Sequence, residues 1–167
     1  MIQANLDNPE AVARTEYSVR EARELGLNMQ QLGETLLGNW DEDMAYELMR
    51  LAFPIHVSEV ELIIANNDSM ALGAIRAMNE LRYNLEGGPP SRFIPVVGVD
   101  ATPQAVEAIR KGVMSATVVQ DGEAMGKTIG TMLLNMVNND DYLKDIPYPW
   151  DESGIAIRIP YAPFFME

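Results

Sequence analysis

Residues 61–74 read ELIIANNDSMALGA, and this stretch decides the predicted fold. Its first part, Glu61–Ala65, is a compact run with few polar residues, which is typical of a strand covered on both faces. Asn67 or Asp68 then caps a helix that runs to about Leu81. A buried strand that leads directly into an amphipathic helix is the building unit of parallel α/β folds.

The same alternation continues along the rest of the chain. The other strand candidates are Ile2–Leu6, Met29–Leu37, Ile94–Val99, Ser115–Val119 and Ile155–Ile159. The other helices are expected at 9–24, 41–53, 102–111 and 121–137, and Pro54 is expected to end the second of them. We therefore predict an α/β fold with a mostly parallel sheet and helices on both faces.

Composition excludes several classes of function. The chain has 167 residues, of which 47% are apolar, so one domain with a sizeable core is expected. Its formal net charge of −13 argues against nucleic acid and against an anionic membrane surface, because both require a basic face. The sequence has no apolar run long enough to span a membrane. Its first residues lack the basic region and apolar core of a signal peptide, so we expect no signal peptide in this chain.

The residues that enzymes need are also scarce. There is no cysteine, and the single histidine, His56, has no carboxylate or cysteine near it at a spacing that suggests catalysis. A phosphate-binding glycine-rich loop and a Ser–His pair are likewise absent from the sequence. We therefore expect no enzymatic activity.

Polar residues are concentrated where the strands end. Ligands of open parallel sheets bind beyond the carboxyl ends of the strands. The residues expected there are Asn8, Glu10, Arg14, Trp40, Asn66, Asn67, Asp68, Asp100, Gln120 and Asp121. Amides, carboxylates and a guanidinium hydrogen-bond hydroxyl groups, and an indole stacks on the C–H face of a sugar ring. The set therefore favours a neutral polyol as the ligand.

Each of these residues also has a purely structural explanation. The structural roles are helix capping for Asn67 and Asp68, a turn for Asp100, an ion pair with Glu10 for Arg14, and core packing for Trp40. The convergence of several strand ends is stronger evidence than any one residue.

Several motifs, in order along the chain, resemble those of the periplasmic galactose/glucose-binding protein family. The motifs are Asn8–Thr15 (NPEAVART), Ile64–Ala74 (IANNDSMALGA), Ile94–Ala101 (IPVVGVDA), Ala116–Asp121 (ATVVQD) and Arg158–Tyr161 (RIPY). The resemblance runs from about Asn8 to Tyr161. It implies one lobe of the two-lobed clamshell of these proteins, with the amino-terminal lobe outside this chain.

The resemblance also implies roles for individual residues. Asn67 and Asp100 match residues that hydrogen-bond the hexose hydroxyls, and Arg14 matches a guanidinium on the ring-oxygen side. Trp40 matches the tryptophan that stacks on one face of the sugar.

Three positions depart from the family pattern. Gln120 stands where a ligand-binding asparagine is usual, Glu10 replaces an aspartate, and Asn8 replaces a histidine. A glucose- or galactose-like monosaccharide is the implied ligand, and a related hexose or a pentose remains an alternative.

Glu61 matches a calcium ligand of the family, but the oxygen-rich loop that completes that site lies upstream of this chain. A single carboxylate cannot supply the six or more oxygens that calcium takes. We therefore expect no metal and no cofactor in this chain.

The resemblance implies a division into three segments. Residues 1–120 form the sugar-binding lobe, 121–150 form a helix and loop that pack on the amino-terminal lobe, and 151–167 form a final strand that returns to the lobe. The helix at Asp121–Val137 carries an apolar stripe. We expect it to dock on a second copy or to fold against its own sheet, and an ordinary core role is the alternative.

The implied function is that of the sugar-binding lobe of a substrate-binding protein. The monosaccharide is the ligand, and the full-length protein works with the membrane permease of an ABC transporter or with a chemoreceptor. The parent protein is expected in the periplasm or at the cell surface. Because about half of the ligand contacts lie outside the chain, we expect this chain alone to bind hexose weakly or not at all. The effector-binding core of a sugar-responsive transcriptional repressor is the alternative.

Overall fold

The computed structural model describes residues 1–166, which form two compact units. Unit 1 comprises Met1–Val118 together with the chain from Pro163 onward, and unit 2 comprises Val119–Ala162. The predicted division into three segments stays a prediction.

Unit 1 is built on a mostly parallel sheet. Its strands are β1 (Ile2–Gln3), β2 (Leu36–Leu37), β3 (Ile63–Ile64), β4 (Val96–Val97), β5 (Ala116–Val119) and β6 (Ala162–Phe165). β1 pairs with β2, and the order of the others is β3-β4-β5-β6; all pairs among the first five strands are parallel. A parallel bridge between Ile2 and Ala65 connects the two groups. The predicted α/β class with a mostly parallel sheet is therefore confirmed.

Every predicted helix is present and begins at a capping residue. The helices are α1 (Pro9–Glu24), α2 (Glu42–His56), α3 (Asp68–Glu80), α4 (Pro103–Arg110) and α5 (Gly122–Asn138). The preceding residues Asn8, Asp41, Asn67, Thr102 and Asp121 each accept a backbone N–H of the first turn. These caps satisfy donors that the start of a helix leaves unpaired, which explains why the helix starts were predictable.

The core of unit 1 lies between the sheet and α3. Ile2, Met70, Met78, Val96 and Met114 are almost completely buried. Most of α3 is buried, and α2 packs against this helix.

Two strand predictions need correction. The predicted strand Met29–Leu37 is reduced to β2, since Gln30, Gln31 and Gly33 interrupt the apolar run. The predicted last strand at 155–159 is wrong: the strand that joins the sheet is β6.

Residues 155–159 are used locally within unit 2. Ile157 forms an antiparallel bridge with Trp150, and the Asp151 N–H donates to the Ala156 carbonyl at 2.8 Å. Arg158 pairs with Asp151 at 2.9 Å. An alternating pattern predicts an extended conformation but not the partner with which it pairs.

The end of the second helix also differs from the prediction. α2 continues through Pro54 to His56. A proline removes one backbone donor, and here that loss falls in the last turn, where it interrupts little of the helix.

Unit 2 contains α5 and the chain that follows it. Asn139 adopts a left-handed conformation at the end of α5, and the buried Asn135 amide donates to the carbonyls of Tyr142 and Lys144 at 3.2 and 2.7 Å. The helix face toward this loop is thus polar. Among residues 1–166, no helix is both long and apolar enough to cross a membrane.

Candidate functional site

Arg14 is the centre of a polar cluster at the carboxyl ends of β1, β3 and β4. One terminal nitrogen, Nη1, donates to the Asn66 carbonyl at 2.7 Å and lies 3.5 Å from Asp100 Oδ1. The other, Nη2, pairs with the Glu10 carboxylate. The side chain is only 12% exposed, so the surrounding groups hold the guanidinium in one position.

The indole of Trp40 lies beside this guanidinium. The Arg14 Cζ is 5.4 Å from the centroid of the Trp40 ring, a cation–π distance. Trp40 is partly buried against the core and has a φ of 65°. The left-handed backbone follows Gly38, where an added Cβ would lie 2.7 Å from Met70 Sδ. The loop after β2 therefore passes close to α3 and brings the indole to the cluster.

Asn67 connects this loop to α3. Its Oδ1 accepts the Met70 N–H at 3.0 Å, which caps α3, and its Nδ2 lies 3.5 Å from the Trp40 carbonyl. Asn67 therefore has the predicted capping role and also lies beside Trp40.

Asp100 projects from the turn after β4. Its backbone φ is 120°, and its side chain is 29% exposed. Burial raises the pKa of the Asp100 carboxyl group, the nearby Arg14 guanidinium opposes this effect, and the charge of Asp68 adds to it. Asp100 thus offers an acceptor beside a fixed cation.

Asn8 and Glu10 lie at the start of α1. The Asn8 Oδ1 accepts the N–H groups of Glu10 and Ala11 at 2.9 and 3.2 Å, so this oxygen is occupied by capping. The Glu10 side chain is half exposed and pairs with Arg14. The predicted i,i+4 ion pair is therefore present, and it leaves part of the Glu10 carboxylate accessible.

Gln120 belongs to unit 2. Its Nε2 donates to the Tyr161 hydroxyl at 3.1 Å. Its membership of a ligand site together with the residues of unit 1 stays a prediction.

Asn66 organises the cluster, although we predicted no separate role for it from the sequence. It is 1% exposed, its Oδ1 accepts the Ala4 N–H at 3.0 Å, and its Nδ2 donates to Thr15 Oγ1 at 3.0 Å. One side chain thus connects β1, β3 and α1, while its carbonyl accepts from Arg14. In the sequence Asn66 stands at the end of an apolar strand and within the Ile64–Ala74 motif.

The cluster offers both donors and acceptors within a small area. Six of the seven predicted site residues are linked by contacts to one another, but the Asn8 oxygen is occupied by capping; the other five are Glu10, Arg14, Trp40, Asn67 and Asp100. We name these five residues the rim. A guanidinium, a carboxamide and two carboxylates around an indole can hydrogen-bond hydroxyl groups while the ring packs on C–H groups.

A concavity elsewhere in unit 1 is not part of the rim. It has a volume of about 630 Å³ and lies at the amino ends of the strands, where Met1, Leu36 and Ile63 line it. Glu61 also lines it, and in residues 1–166 no group of three or more His, Asp or Glu side chains is placed to hold a metal ion. The expected absence of calcium stays a prediction.

Comparison with known proteins adds independent evidence. Residues 1–141 match the family model described as "Periplasmic binding protein domain". The D-galactose/methyl-galactoside binding periplasmic protein of Haemophilus influenzae is 29% identical over 163 residues, which cover 97% of this chain and 46% of that protein. The ribose import binding protein of the same organism is 35% identical over 86 residues, which cover 52% of this chain and 24% of that protein.

A solved structure has the same fold. It is an ABC transporter solute binding protein from Bacillus halodurans with bound myo-inositol, which is 28% identical with a TM-score of 0.64 and matches 84% of this chain and 45% of its own. The chain thus spans about half the length of the galactose-binding relative and of this solved structure. Since the family model covers most of its residues, the chain belongs to the periplasmic binding protein domain family.

Proposed function

We propose that this chain is the sugar-binding lobe of an ABC-transporter substrate-binding protein for glucose- or galactose-like monosaccharides. The observation that carries the proposal is the fixed Arg14 guanidinium, which lies between two carboxylates and next to the Trp40 indole. A sugar needs this combination, because its hydroxyls both donate and accept while its C–H faces are apolar.

The charge of the rim favours a neutral ligand. Glu10 and Asp100 flank the one guanidinium of Arg14, so an anionic ligand would meet two carboxylates. Phosphorylated sugars are therefore disfavoured. A hydroxyl can donate to either carboxylate and accept from the guanidinium without burying a new charge.

The choice of a hexose rests on the family motifs and on the relative named for D-galactose, which matches nearly the full chain. Other relatives are named for ribose or were solved with myo-inositol. Gln120, Glu10 and Asn8 depart from the family pattern, and Glu10 is the one of the three that belongs to the rim. Each hydroxyl that loses its partner changes affinity by roughly 1–3 kcal/mol, so a change at a ligand position can alter which epimer is bound.

The proposed role is binding without catalysis. Closure of two lobes on a sugar is a hinge movement that a membrane permease or a chemoreceptor can recognise. The full-length protein would act in the periplasm or at the cell surface, as the names of its relatives suggest. In this role the rim binds the sugar, and the closure of the two lobes around it is the change that the partner protein recognises.

Tryptophan fluorescence tests the proposal. Trp40 and Trp150 are the two tryptophans, so the W150F variant isolates the signal of Trp40. Titration with D-galactose, D-glucose, D-ribose and myo-inositol should change this signal with a dissociation constant of roughly 1 mM or weaker for at least one hexose. No response to any of the four compounds would contradict sugar binding, and micromolar affinity would contradict the view that the chain supplies only about half of the contacts.

We also propose that α5 pairs with a second copy of the chain. Ile129, Leu133 and Val137 share one helix face and are 61%, 57% and 79% exposed. Gly126 lies on the same face, and an added Cβ there would meet no atom within 4 Å, so a second backbone can approach closely. An exposed apolar face of this kind favours association.

Charge identifies a second copy as the suitable partner. The chain carries a net charge of −13, so most of its surface repels another copy. In α5 the charged side chains are Glu123 and Lys127, which pair with each other at 2.6 Å. This helix is therefore a neutral surface on which two acidic chains can meet.

Light scattering coupled to size-exclusion chromatography measures the association. The wild-type chain should elute with twice the mass of one chain, and the L133K variant should be monomeric because it places a cation in the apolar face. Leu51 on α2 is similarly exposed, at 63%, so L51K is the matched control and should remain dimeric. A monomeric wild type, or equal effects of the two substitutions, would contradict the pairing.

A further inference from the structure

Asp68 is a buried carboxylate next to the rim. It is 0% exposed; its Oδ1 accepts the Thr117 hydroxyl proton at 2.6 Å, and its Oδ2 accepts the Thr102 N–H at 2.8 Å. Within residues 1–166 it forms no salt bridge. A carboxylate kept away from water with only neutral donors is costly, so the contacts that it makes require an explanation.

Those contacts converge on the turn that carries Asp100. The Thr117 hydroxyl that donates to Asp68 also accepts the Ala101 N–H at 3.2 Å. Asp68 therefore holds Ala101 through Thr117 and holds Thr102 directly. The two residues that follow Asp100 are both fixed by one side chain from α3.

The turn itself has an unfavourable backbone. Asp100 has a φ of 120° and Ala101 a φ of 57°, although both residues carry a Cβ. Such conformations persist only where the surroundings hold them. Besides the Asp68 contacts, the Asp100 N–H donates to the Val118 carbonyl at 2.8 Å. The conformation directs Asp100 Oδ1 to within 3.5 Å of Arg14.

Gly98 makes room for this arrangement. A Cβ at this position would lie 2.5 Å from Asp68 Oδ1 and 3.2 Å from Asp68 Cα. The start of α3 can therefore approach β4 only where residue 98 has no side chain. Asp68, Gly98 and Thr117 pack together, and each comes from a different one of three consecutive strand–helix units.

We propose that Asp68 is a positioning residue of the sugar site, which acts with Thr117 to hold the Asp100–Thr102 turn so that the Asp100 carboxylate faces the rim. This inference rests on the proposed function, because it takes Asp100 to be a ligand of the sugar. Asp68 itself does not touch the sugar, since it is completely buried.

The T117V variant is the sharpest test. Valine has nearly the shape of threonine but lacks the hydroxyl, so the Ala101 N–H and Asp68 Oδ1 both lose their partner. T117S keeps the hydroxyl and is the conservative rescue, and T128V is the control, since Thr128 is another buried threonine, 8% exposed, in α5. D68N is a second probe, because one acceptor oxygen cannot serve Thr102 and Thr117 as the carboxylate does.

Two measurements on the labelled 167-residue chain separate the outcomes. The three-bond coupling between the amide and α protons of Asp100 and of Ala101 depends on the backbone angle φ, and it can be measured without ligand. D-galactose titration then reports the affinity. T117V and D68N should change both couplings and weaken galactose binding roughly tenfold. A tenfold change in affinity is what the loss of one hydrogen bond to a charged group would cause. T117S and T128V should resemble the wild type.

The positioning role would be overturned if T117V left both the couplings and the galactose affinity unchanged. If T117V does not fold, the same result in D68N would overturn it. Changed couplings together with a wild type that does not respond to D-galactose would confirm that Asp68 holds the turn. That result would instead contradict the sugar assignment of the rim.

Discussion

Replacing Arg14 by methionine should abolish the response of the chain to D-galactose. The guanidinium is the one cation of the rim, and it is held by the Asn66 carbonyl, Glu10 and Asp100. Methionine keeps apolar packing against Trp40 but removes the cation that pairs with both carboxylates. Without the cation that opposes the effect of burial, the pKa of Asp100 should rise further, so its charged acceptor form is weakened as well.

The R14K variant should retain binding that is about tenfold to a hundredfold weaker. Lysine keeps the charge but cannot provide two nitrogens in a fixed plane, and a hydrogen bond to a charged group contributes roughly 1.5–3 kcal/mol. R20M is the matched control, because Arg20 lies on the same helix and is 54% exposed. Fluorescence titration of Trp40 in the W150F background gives the galactose affinities of the unsubstituted chain, R14M, R14K and R20M. Binding by R14M at the wild-type level would contradict the role of Arg14.

Replacing Gly73 by alanine should destabilise unit 1. An added Cβ would lie 2.2 Å from the Glu42 carbonyl oxygen and 3.0 Å from the Tyr46 backbone nitrogen. Both atoms belong to the backbone of α2, so neither can move without displacing that helix. Overpacking of this kind costs about 1–3 kcal/mol, which outweighs the gain of about 1 kcal/mol or less from replacing a helical glycine by alanine.

Urea denaturation followed by circular dichroism measures this effect. The midpoint for G73A should fall, because a Cβ at Gly73 meets the backbone of α2. An unchanged midpoint in G73A would show that α2 and α3 do not pack as closely as described.

The parts of the fold that follow from local chemistry could be predicted from the sequence. All five helix starts coincide with a side chain that caps the first turn, and each of these caps joins residues only two or three positions apart. The apolar runs that became β3 and β4 were likewise evident. The rim followed from one general rule, that the carboxyl ends of parallel strands meet at one edge.

The parts that depend on distant partners could not be predicted. Ile155–Ile159 has the alternating pattern of a strand. In the structure it pairs locally with Trp150 and Asp151 instead of joining the sheet. Asp68 looked like a helix cap, yet its carboxylate accepts hydrogen bonds from the Thr102 N–H and the Thr117 hydroxyl, which lie 34 and 49 residues away. The sequence marks such residues only as polar groups next to apolar strands.

Nuclear magnetic resonance of the labelled chain tests the central claim most directly. On addition of D-galactose, the indole N–H of Trp40, the side chain of Arg14 and the amides of Asn67 and Asp100 should shift together with one affinity. The indole of Trp150, which lies outside unit 1 and outside the rim, should not shift with them. Saturating sugar that leaves the four rim signals unchanged, or that moves signals only elsewhere, would contradict the account.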